Sequence, residues 1–325
     1  MKKLVVVGAG GLGGTIAALL AQKGVCDVTI VGRPGAHIDT VKRSGVQLNG
    51  LQGFTIPIEA VDDATHIRQC DGLILAVKAQ DTQAALTSTA HIHVREFVAS
   101  VQNGVIKDDI LVNAFGKEKV LGAVAIVAGE RPAPGVVNWT YDGGTQFGEL
   151  DGQSSARVDK IVDIFQQAGL ITESSNAIVS ATWSKMAGWI PIGLLATLSR
   201  QNNAGVLSNR LLATAYVSMI RELSTLATVK EIPLIDLGPY PVKTWCQGTV
   251  EEAVEKVMTS PLASSQSTHS ALQDIQKDQP TEFSACVGPM IADASQSAIP
   301  IPRIQVMYAA LMGLEATLQK AEATG

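Results

Sequence analysis

The chain has 325 residues, 46% hydrophobic and 17% charged, with a formal net charge of −5. That length accommodates two domains with a sizeable core. An acidic balance without a basic tract argues against a nucleic-acid partner, and no apolar stretch runs unbroken to membrane-spanning length.

Leu4 to Val7 is an apolar run fit for a buried parallel strand. Gly8, Gly10 and Gly13 follow at the G-x-G-x-x-G spacing, and Thr15 to Gln22 continues as a helix pattern. Strand, glycine turn and helix arrive in the order a dinucleotide needs. Gly8 permits the tight turn, Gly10 leaves room for a pyrophosphate, and Gly13 lets helix and strand approach. Gly8, Gly10, Gly11, Leu12 and Gly13 therefore form the candidate phosphate cradle, with the helix N-terminus directed at the anion. Asp27 to Val31 reads as the second strand. An NAD site usually places an acid at its end, to accept from the ribose 2′-hydroxyl. Arg33 stands there instead, and a guanidinium suits a 2′-phosphate. The expected cofactor is NADPH/NADP+. Lys42 and Arg43 are nearby helix charges of less weight.

Further strands are expected at Gly72–Val77, Phe97–Ser100 and Val120–Ile126, alternating with helices in a doubly wound α/β pattern. Lys78 follows the first of these directly, and Gln102-Asn103-Gly104 follows the second. Strand carboxyl ends face the cofactor crevice in such sheets, so Lys78 and Asn103 are candidate cofactor contacts. Val136 to Phe147 reads as a hairpin-like extension and Arg157 to Gln167 as a helix. From Ser175 the strand signal stops. Helices are expected over Val179–Leu198, Arg210–Lys230, Val250–Met258 and Thr281–Ser297, with a Ser/Thr-rich loop from Leu262 to Ser270. The expected domains are residues 1–174, Rossmann-type, and 175–325, mainly helical.

Cys26, Cys70, Cys246 and Cys286 are scattered without C-x-x-C spacing and read as reduced structural thiols. Met1-Lys2-Lys3 leads into a strand rather than a cleavable apolar segment. Both features predict a cytoplasmic protein. His37, His66, His91, His93 and His269 form no evident metal set, and no metal is expected.

Taken together, these motifs resemble the ketopantoate reductases, also called 2-dehydropantoate 2-reductases. The match lies in the Gly8–Gly13 turn, Arg33, Val77-Lys78, Gln102-Asn103-Gly104, Trp183-Ser184-Lys185, Ser270 to Asp274, and Thr281-Glu282. Phe147 to Leu150 and Ile299 to Pro302 add to it. The resemblance implies an NADPH-binding Rossmann domain, a helical domain, and substrate in the cleft between them. It implies hydride transfer to a 2-keto acid, giving a D-2-hydroxy acid. Ketopantoate, in pantothenate biosynthesis, is the family default. By the same resemblance Lys185 is the catalytic lysine, Glu282 the essential acid, and Ser270 and Asn103 substrate contacts. Asp274 lies four residues from Ser270, on the same face of a helix.

The sequence also departs from the family pattern. Where the family reads W-x-K-L-x-x-N with a second Asn four residues on, this chain has Trp189 and Gly193, with Pro191 between them; Val287 replaces a third Asn. Trp189, as a candidate substrate contact, suits an apolar or aromatic substituent better than a hydroxymethyl group. The readings are therefore ketopantoate reduction, reduction of a more apolar 2-keto acid, or an NADPH-binding sensor without turnover. A homodimer, if formed, would use the helical domain.

Overall fold

The computed structural model describes the backbone of residues 1–324 and the side chains of residues 1–318. The chain divides into two compact units, Met1–Val179 and Ser180–Gly325.

The strands of the first unit are β1 (Lys3–Val7), β2 (Asp27–Val31), β3 (Val46–Gly50), β4 (Phe54–Ile56), β5 (Glu59–Val61), β6 (Gln69–Leu75), β7 (His93–Ser100), β8 (Val120–Ala133), β9 (Val136–Glu149) and β10 (Thr172–Ser174). Its helices are α1 (Gly11–Lys23), α2 (Ala36–Ser44), α3 (Thr82–Thr89), α4 (Lys107–Phe115) and α5 (Ala156–Gln167). Six strands lie in the order β5-β2-β1-β6-β7-β8, all parallel. This is the doubly wound dinucleotide order, with its reversal between β1 and β6.

The apolar run of β1 follows from burial on both faces of the sheet. Leu4 and Val6 pack with Ile16, Leu19 and Leu20 of α1, whereas Val5 and Val7 pack with Leu73, Leu75 and Val98 on the other side. Beyond β8 the sheet changes character. The long β8 and β9 pair antiparallel, β3 joins β9 in parallel, and β4 closes the edge. Residues 46 to 61 carry no strand expectation from sequence. Their strands are short and mix Gln47, Asn49, Thr55 and Glu59 into the pattern, so only pairing to longer neighbours defines them.

The second unit begins within α6 (Ile178–Ser199), which crosses the boundary. It contains α7 (Asn203–Leu207), α8 (Arg210–Val229), α9 (Val242–Trp245), α10 (Val250–Met258), α11 (Ser270–Gln276), α12 (Phe283–Cys286), α13 (Gly288–Gln296) and α14 (Pro302–Thr324). The single helix expected from Thr281 to Ser297 is two. Pro289 lacks the N–H that would reach back to Ala285, so the helix stops and restarts. The first turn of α14 is held from α8. The buried Glu222 carboxylate accepts from the Arg303 and Ile304 backbone N–H groups, both at 3.1 Å, and from Arg303 Nη1 at 3.0 Å. Free N–H groups at a helix start favour such an anion. No helix among the described residues is long and apolar enough to cross a membrane.

Candidate active site

The glycines of the first turn differ in why they must be glycine. Gly8 has φ +117°, and a Cβ there would lie 2.6 Å from the Ala76 carbonyl carbon. A Cβ on Gly13 would lie 2.0 Å from the Gly8 oxygen. Both are demanded by the fold itself. Gly10 is different: its φ is an ordinary −77°, and a Cβ there would meet nothing within 4 Å. Neither backbone conformation nor packing requires glycine at position 10. The open side of the turn leaves room for a ligand there. Gly10 is also the N-cap of α1, where it offers no capping side chain, and the first turn of α1 carries no acid. The N–H groups of that turn have no intrahelical acceptor. The residues present therefore fit a dinucleotide pyrophosphate.

The neighbouring strand ends gather around this turn. The Gly8 N–H donates to Val31 O at 2.8 Å, and Gly8 abuts the Ala76–Val77 backbone. Arg33, just past β2, is 85% exposed at its side chain and pairs at 3.7 Å with Asp81, in the loop after Lys78. An exposed pair of that length is weak, so the guanidinium can be redirected to a phosphate. Lys78 is exposed, and Asn103 is half-buried. Between them the buried Gln102 acts as a tie. Its Nε2 donates to Val77 O at 3.0 Å and Thr82 Oγ1 at 2.8 Å, while its Oε1 accepts from Ser100 Oγ at 2.8 Å. The ends of β1, β2, β6 and β7, which Gly8, Arg33, Lys78 and Asn103 follow, thus lie side by side.

In the second unit, α6 is buried from Ser180 to Thr197. Lys185 is its only charged residue and is 8% exposed. A buried ammonium is costly unless it is paired and hydrogen-bonded. Two neighbours register its charge. Burial pushes the Cys286 thiol up, the Glu282 carboxylate adds to that, and the Lys185 ammonium opposes it. Burial lowers His269 to about 3, the Trp189 carbonyl resists, and Lys185 lowers it further. Lys185 and Glu282 therefore act on the same small region. Glu282, half-buried, stands at the N-cap of α12. The turn before it is anchored from α14, where Glu315 accepts from both the N–H and the hydroxyl of Thr281.

Trp189 lies one turn beyond Lys185, stacked on Phe283 at 5.2 Å and tilted against His269 at 4.6 Å. It is 8% exposed. Gly193 is the seat of His269: a Cβ there would lie 2.4 Å from His269 Cε1. An aromatic cluster thus occupies the region of Trp189 and Gly193. Val287 is fully buried. Ser270 is exposed at the start of α11, and Asp274 lies one turn further along the same helix. His269, Phe283 and Glu315 were not singled out from sequence. An isolated His or Glu carries no local signal; only packing links them to Gly193 and Thr281. Among the described residues no group of three His, Cys, Asp or Glu side chains could hold a metal.

Two family models match in succession: ketopantoate reductase PanE/ApbA over residues 4–152, and its C-terminal counterpart over residues 177–315. The chain belongs to the ketopantoate reductase family. The 2-dehydropantoate 2-reductase of Pyrococcus abyssi is 26% identical, covering 97% of this chain and 98% of the relative. A ketopantoate reductase structure from Ralstonia eutropha JMP134 superposes with a TM-score of 0.82 at 22% identity, over 98% of this chain and 99% of that one. A D-mandelate dehydrogenase structure, solved with NADH and anilino(oxo)acetate, gives 0.84 at 19% identity, with 98% and 99% covered. At these identities the two structures speak to the fold. Ketopantoate reductases are NADP-dependent oxidoreductases, and membership makes this chain an enzyme of that kind.

Proposed function

We propose that this enzyme reduces a 2-keto acid to a D-2-hydroxy acid, with Lys185 as proton donor. One observation carries the reading: α6 buries a single charged side chain, Lys185, in a region that also feels Glu282. Bound NADPH supplies the hydride to the keto carbon. As that carbon becomes tetrahedral, negative charge grows on its oxygen. The Lys185 ammonium stabilises that charge and passes a proton to it, leaving a neutral amine that solvent recharges. Glu282 holds the ammonium in place. Ser270 and Asn103 donate to substrate oxygens. Gly8 to Gly13 cradle the pyrophosphate, and Arg33, helped by Lys78, takes the 2′-phosphate.

Ketopantoate is the substrate that the family name supplies. The aromatic cluster of Trp189, His269 and Phe283 favours a second reading, a 2-keto acid with a more apolar side chain. The four cysteines are free thiols, which suits a reducing, cytoplasmic setting. The test is NADPH oxidation with a panel of ketopantoate, 2-ketoisovalerate, pyruvate and phenylglyoxylate, followed by chiral analysis of the product. Tight NADPH binding with no turnover of any member would replace the reductase reading with that of a sensor.

A further inference from the structure

His269 precedes α11 and caps it: its Nδ1 accepts the Ala271 N–H at 3.2 Å. The ring proton of the neutral imidazole is therefore on Nε2. That atom is buried and has no hydrogen-bond partner. The Trp189 carbonyl influences the ring without meeting hydrogen-bond geometry. Buried polar groups are ordinarily partnered, and one that is not needs an explanation. The surroundings of Nε2 are specific. A Cβ on residue 193 would stand 2.7 Å from it, so glycine at 193 is what admits the ring. The indole of Trp189 covers the ring at 4.6 Å, and the Lys185 charge acts on it.

We propose that His269 is a substrate-binding residue: wedged between Trp189 and Gly193 of α6, its imidazole offers the Nε2–H to an acceptor oxygen of the bound 2-keto acid. This rests on the reductase reading above. The acceptor is either the carboxylate, common to all 2-keto acids, or an oxygen on the side chain. Gly193 and His269 are then one unit, in which the small residue on the helix makes space for the donor from the loop.

The test compares wild type with His269→Asn and His269→Gln. Asn retains an oxygen that caps Ala271 but has nothing at the position of Nε2; Gln restores an N–H near it. For His269→Asn we expect KM to rise tenfold or more with kcat changed less than threefold, and a Tm within a few degrees of wild type. His269→Gln should recover most of the lost affinity. A rise for every acid in the panel assigns the carboxylate as acceptor. A rise for ketopantoate alone assigns a side-chain oxygen. A change within twofold for all of them overturns the proposal. A second readout does not depend on any variant: the His269 Nε2 resonances of wild type with NADPH should shift when the D-2-hydroxy acid product is added, a pair that cannot react. An unmoved signal counts against the assignment. If wild type turns over no 2-keto acid, the reductase reading fails and takes this one with it. If turnover is intact and His269 is silent, this inference alone falls.

Discussion

Two side chains divide the proposed chemistry between cofactor and substrate. Arg33 is mostly in solvent, so its worth lies in what it meets. Arg33→Ala is expected to weaken NADPH binding by roughly 1.5–3 kcal/mol for each charge-assisted bond lost, with NADH affinity almost unchanged. Equal wild-type affinity for the two nucleotides, measured by titration, would sink that assignment. Lys185 is the opposite case, a charge carried where burial disfavours it. Lys185→Met should lower kcat about 10²–10⁴-fold, the range for a general acid. The same change should leave NADPH binding intact and lower Tm, because it leaves Glu282 without the charge it holds. A kcat within tenfold of wild type, with chemistry rate-limiting, would move the proton donor elsewhere. Lys185 stands out in sequence, the one charge in an apolar helix. His269 does not: nothing around it differs from an ordinary loop until Gly193 is seen against it.

Helices and turns carry these residues to their places. The tie from Glu315 on α14 to Thr281 sets the turn that presents Glu282. Glu315→Ala should reduce kcat/KM about tenfold while NADPH affinity holds, because it frees the Glu282 turn without touching the glycine turn. Equal losses in both would point to general unfolding instead. On α6, Trp189→Asn removes a ring stacked on Phe283 and His269. It should cost about 3 kcal/mol or more in stability, as large-to-small changes in packed clusters do. Its effect on kcat/KM for ketopantoate relative to phenylglyoxylate then reports on the substrate side. An unchanged ratio would make Trp189 a packing residue only. Most long elements were legible in the sequence, since α8, α10 and β1 carry clear periodicity or apolar runs. The break before α13 was written in Pro289 yet hidden by the flanking helical pattern. The small strands β3 to β5 were not legible, because their partners on the sheet decide them.

For the molecule as a whole, His269 predicts a pH dependence. Its folded pKa is lowered from 6.5 to about 3. Between those values the unfolded chain binds a proton that the folded protein excludes, so stability falls as pH drops below about 6.5. At pH 4.5 the loss from this one group approaches about 2–3 kcal/mol, from about 1.4 kcal/mol per pH unit over two units. Thermal melts should therefore show a smaller acid-induced fall for His269→Asn than for wild type. Matching slopes would mean that the ring is accessible to protons in the native state. By itself the sequence determined the doubly wound first unit, the helical second one and the glycine turn. Those features rest on local pattern: apolar runs, helical periodicity, and glycines at fixed spacing. It also marked Arg33, Lys185 and Glu282 through their order along the chain. Only the tertiary structure decided that neither backbone nor packing demands glycine at position 10, and that Gly193 is glycine for His269. It alone joined Glu315 to the Glu282 turn. Each of these depends on atoms brought close by packing between elements distant in the chain, and no local pattern records such distances.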